Sequence, residues 1–172
     1  MKKLLLCLSI LISCNSIFLN SGFAKNKYIA QQNFTQNIQN LLDDWVDFKL
    51  NYYQTNKEIE LKTQDTQSDI ANMSDNEYAE NLRKSLMLAF QIKKIHLESL
   101  KPKTNEMQNL VQHLLQGDQI TTELMFDKKY NNKENDDEKK QKQEQLEKIN
   151  EQNKKMSDEI EQRTLEYLKS LR

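Results

Sequence analysis

The chain has 172 residues, room for one domain or two small ones, with 37% hydrophobic and 30% charged residues. Two glycines and one proline are too few for the many reversals of an all-β or α/β chain, which draws on both for its turns. The 25 basic and 26 acidic residues nearly cancel, so the basic surplus that binding a nucleic acid needs is missing.

Met1-Lys2-Lys3 is a short basic start, and Leu4 to Ile12 is apolar apart from Ser9. That pattern reads as a secretory signal, because a membrane-spanning helix needs about 20 apolar residues. On the favoured reading the signal covers 1–24 and cleavage follows Gly22-Phe23-Ala24, leaving a single helical domain over 25–172. The mature chain then has no cysteine, hence no disulfide and no thiolate chemistry.

A second reading rests on Leu11-Ile12-Ser13-Cys14, which resembles the lipobox of bacterial lipoproteins. The resemblance implies lipidation at Cys14. With Asn15 rather than aspartate behind it, the resemblance also implies an outer-membrane address. Ile17, Phe18 and Leu19 stand where such proteins carry a polar tether, which favours cleavage after Ala24. Either way the protein is expected to be exported: periplasmic or secreted, or else an outer-membrane lipoprotein held to the membrane only through Cys14.

From Phe34 the apolar positions fall at 34, 38, 41, 45, 48 and 52, the alternation of three and four that marks one helix face or a coiled-coil seam. Leu42, Val46 and Tyr53 widen that face, which predicts a helix over about 29–60 buried on more than one side. Glu60 to Asn72 is polar and reads as a fraying end or loop. Ser74-Asp75-Asn76-Glu77 is a capping box, with Met73 and Tyr78 at the positions of a hydrophobic staple, and it starts a second helix over about 75–100. Apolar residues spread around most of that helix, so it is expected to be the most buried one.

Pro102 closes the second helix or opens a third, predicted over about 103–130, within which Gly117-Asp118 is a break or a tolerated glycine. A last helix over about 136–171 carries Leu146, Ile149, Met156, Ile160, Tyr167 and Leu171, with Asn153 and Thr164 completing the alternation. An asparagine in such a seam sets register at a cost in stability. Residues 131–145 lack an apolar stripe and are either flexible or a solvated helical extension. The expected fold is an all-α antiparallel bundle of three to four long helices, partly coiled-coil-like.

Little in the sequence carries chemistry. His96 and His113 flank the Pro102 turn, but no Glu-x-x-His pair of the di-iron type accompanies them, and surface histidines are the default. Asp43-Asp44 and Asp136-Asp137-Glu138 pair carboxylates without a recognisable cleft, and read as solvated faces. The elbow, phosphate-loop and zinc-helix motifs of common enzymes do not occur. No enzyme activity and no cofactor are therefore expected. Trp45, Tyr52 and Tyr53, with Asn153, Ile160 and Tyr167 on the last helix, are the candidates for partner binding, although an aromatic group at helical spacing is more often core.

The leading functional expectation is a non-enzymatic protein that binds another envelope or secreted protein as adaptor, periplasmic chaperone, or inhibitor or immunity factor. Oligomerisation is compatible with the same surface. An accessory subunit of a secretion or conjugation assembly is the alternative, and a helical metal protein or enzyme the third.

Overall fold

The computed structural model describes residues 22–64, 74–131 and 135–171. Four α-helices account for most of them: α1 (Gly22–Thr63), α2 (Asp75–Ser99), α3 (Asn105–Phe126) and α4 (Asp136–Ser170), with a short 3-10 turn at Lys128–Asn131 before α4. No strand occurs among the described residues. The chain divides into two compact units, Met1–Gln36 and Asn37–Arg172, and the core lies wholly within the second. The fold is an all-α bundle, as the sequence predicts. Cys14 and Met73 lie outside the described residues.

The capping box opens α2 as its sequence dictates. Ser74 Oγ accepts the Glu77 N–H at 3.4 Å, and the Glu77 carboxylate accepts the Ser74 N–H at 2.9 Å. The Ser74 N–H foremost, then the Ser74 hydroxyl donating to the same carboxylate oxygen at 2.7 Å, hold the Glu77 carboxyl below its ordinary range. Ser74→Ala is expected to cost about 1 kcal/mol of stability, measurable by urea unfolding. Helix α2 stops at Ser99, with Leu100 extended at φ −64°, ψ 142° as the Pro102 turn begins.

Helix α3 starts at Asn105, two residues later than predicted, because Pro102 and Lys103 belong to the connection. Ion pairs trace the antiparallel pairing of neighbours. Lys93 meets Asp118 at 2.6 Å between α2 and α3, while Arg163–Glu106 at 3.1 Å and Lys142–Glu123 mark the two ends of the α3–α4 contact. Ile38, Leu41 and Trp45 of α1 close a cluster with Met107 and Leu110 of α3 and Ile160 of α4.

That arrangement reverses one expectation. Helix α3, not α2, is the most buried: Met107, Leu110, Val111, Gly117 and Ile120 are all enclosed. Helix α2 encloses only Ile92 and Leu97, and leaves Tyr78, Leu82, Met87 and Ile95 exposed. The physical reason is position: α3 has α2 on one side and α4 on another, with α1 over its first turns. Apolar residues around a helix show what could be covered, not how many neighbours arrive.

Helix α3 passes through Gly117 without a break. A Cβ there would sit 3.5 Å from Ile149 Cγ2 and 3.8 Å from Leu146 Cδ1, ordinary packing distances. Gly117→Ala should therefore raise stability by about 0.5–1 kcal/mol, since it removes a flexible residue from a helix without a clash. A lowered unfolding midpoint would show that the α3–α4 approach has no room for the methyl. Residues 136–145 are helical and mostly exposed.

Candidate partner-binding surfaces

The six predicted partner residues separate. Trp45 is enclosed in the core, stacked on Phe48 with ring centroids 5.5 Å apart, and Lys49 Nζ lies 4.5 Å from its ring. Ile160 is 2% exposed in the same cluster, and Tyr167 packs against it. Asn153 is buried too, its Oδ1 without a hydrogen-bond partner among the described residues. These four pack against their own chain. Tyr52 and Tyr53, at 54% and 65% exposed, are the two that reach solvent.

Asp44 corrects the reading of paired carboxylates as a solvated face. Asp43 is exposed, with Lys103 Nζ 3.7 Å away. Asp44 is buried and accepts the Lys103 N–H at 2.9 Å, the Thr104 N–H at 2.7 Å and the Thr104 hydroxyl at 2.6 Å. It thereby caps α3 from another helix, in place of Thr104, whose side chain makes no cap bond of its own. One heptad on, Asn51 donates to the His96 carbonyl in the last turn of α2 at 2.9 Å. After a further heptad, Glu58 lies 2.7 Å from His96 Nε2. Asp44, Asn51 and Glu58 thus form a polar line by which α1 grips both sides of the Pro102 turn.

This accounts for His96 structurally. Glu58 also pairs with Lys62 at 2.7 Å, and Lys62 first, then His96, holds its carboxyl below the ordinary range. His113 lies on α3 with Nδ1 buried and unpartnered among the described residues. Among those residues no cluster of His, Cys, Asp and Glu could hold a metal ion.

An open groove of about 560 Å³ lies between α2 and α3. Met87 and Phe90 from α2 and Leu115 from α3 give it an apolar floor, and Gln112, Gln116 and Gln119 edge it. Its lining on α2 comes from positions 87, 90, 91, 94 and 98, a stripe about 17 Å long. Phe90 is braced edge-on by Phe126, 6.4 Å between centroids. Every charge on the lining is already matched: Lys94 with Glu98 at 3.8 Å, Asp118 with Lys93, and Glu123 with Lys142.

No known protein family, curated protein or solved structure matches this chain.

Asp118 is the most enclosed charge of the groove. Burial pushes its carboxyl above the ordinary value despite the opposing pull of Lys93, and Oδ2 has no partner among the described residues. A raised folded value means that the native state holds this proton more tightly than the unfolded chain does. Its contribution to stability is therefore fully present below the ordinary aspartate range and is lost as pH rises through the raised value. Asp118→Asn should flatten the stability profile at pH values just above the ordinary aspartate value of about 3.9. An unchanged slope in denaturation at those pH values would place the titration elsewhere.

The sequence offered no signal for the groove, because it arises from how two helices sit together. The polar line was visible in principle as Asp44, Asn51 and Glu58 at intervals of seven, beside the apolar seam. Among the described residues no helix is long and apolar enough to cross a membrane.

Proposed function

We propose that this is an exported, non-enzymatic helical protein that binds another envelope or secreted protein, and that the α2–α3 groove is where the partner docks. One observation carries the reading: an apolar channel of about 560 Å³ lies open along two antiparallel helices, rimmed by amides and with its charges neutralised in pairs. Two parallel ridges with a gap between them are the receiving half of helix-in-groove recognition. The complementary partner is an amphipathic helix with a narrow apolar stripe and uncharged flanks. Adaptor, chaperone and inhibitor roles all use such a contact, and the basic-apolar start of the chain supports the export part of the reading.

The test is affinity capture of envelope proteins by the wild type and by Met87→Glu and Gln116→Arg. Both side chains are exposed, so neither change should disturb folding. A partner of the groove should be lost, by about tenfold or more in affinity, from both variants and kept by Gln162→Arg on α4. Retention by all three would remove the groove from consideration, and recovery of no specific protein would contradict the function itself.

A further inference from the structure

A second apolar surface lies on the outer face of α1. Val46, Leu50, Tyr53 and Leu61 are 45%, 54%, 65% and 61% exposed. Their spacing, with Lys57 filling the remaining step, is four, three, four and four, a continuous helical stripe. At 3.6 residues per turn it lies on the side of α1 opposite Leu41 and Thr55, which are buried. Helix α1 is thus apolar on two faces, and its own chain covers one.

The charges along the stripe say what covers the other. Asp43 and Asp47 flank its first turns on one shoulder, Lys49 and Glu60 lie on the other, and Lys57 is in line with the apolar residues. Among the described residues Asp47, Lys57 and Glu60 make no ion pair within their own chain.

We propose that a second copy of this chain docks here, with the two α1 helices antiparallel. Such a two-fold contact uses the same patch on both copies. Setting Val46 against Leu61 of the second copy puts Tyr53 beside the two-fold axis. Each Lys57 then comes within one helical turn of Asp47 of the second copy, and each Lys49 within one turn of Glu60. A parallel arrangement would instead stack Lys57 on Lys57 in the middle of the seam. This surface is separate from the α2–α3 groove and stands or falls independently of it.

Charge exchange tests both partner and direction. Sedimentation of the purified wild type should show a reversible dimer. Asp47→Lys and Lys57→Asp, made separately, should each weaken it by about tenfold, because each places like charges at both symmetry-related contacts. Mixing the two variants should restore a dimer as tight as the wild type, since the mixed pair has opposite charges at both contacts. Leu50→Glu should give a monomer with unchanged helicity. A wild type that stays monomeric up to about 100 µM overturns the proposal, as does a mixture no tighter than the single variants.

Discussion

Replacing Asp44 by alanine is expected to lower the stability of the fold by about 3 kcal/mol, a large share of what a small domain has. The carboxylate is 5% exposed and accepts two backbone N–H groups and a hydroxyl from the segment that begins α3. Bonds to a charged acceptor are stronger than neutral ones, and truncation strands the donors in a place that water reaches poorly. Asp44→Asn should fall between, because the amide keeps one acceptor but turns an NH2 toward donors. Urea unfolding followed by circular dichroism measures both. A change within about 0.5 kcal/mol for the alanine variant would mean that water replaces the cap at no cost.

Leu110→Ala should be of similar or greater size, about 3–4 kcal/mol. Leu110 is fully enclosed at the meeting of α1, α3 and α4, beside Leu41, Met107 and Ile160. The cavity it leaves has walls from three helices, which limits collapse around it. Val46→Ala is the informative contrast. It removes an apolar side chain from the same bundle, but from the exposed face of α1, so monomer stability should move by no more than about 0.5 kcal/mol. Equal losses at a concentration where the protein is monomeric would show that the outer face is covered by its own chain.

The elements were legible because their punctuation is local. Ser74 and Glu77 announce the start of α2, Pro102 marks the turn, and the three-four alternation from Phe34 finds α1. The structure returns these elements, although α1 begins at Gly22, seven residues earlier than predicted. The seam of α4 was also readable, down to the buried Asn153 and Thr164 that complete it.

Coverage was not legible. Trp45 is core, as an aromatic at helical spacing more often is, but periodicity says nothing about which neighbour meets a face, so Ile160 is core while Val46 and Leu50 face solvent. Helix α2 shows the same limit, with Tyr78 and Leu82 exposed near its start. Asp44 was misread because an acidic pair looks alike whether it is hydrated or capping. Only the arrival of Thr104 from 60 residues away distinguishes the two. The groove depends on that same tertiary placement, which no local signal encodes.

Export and partner docking through the groove can be tested together in the native host. A photo-activated cross-linking residue placed at Gln116, on the groove rim, would be compared with one at Gln162 on the outer side of α4. The expected result is one discrete envelope-protein adduct from position 116 that disappears with Met87→Glu, and no such adduct from position 162. Equal labelling from both positions, or an adduct that survives Met87→Glu, would contradict a partner seated in the groove.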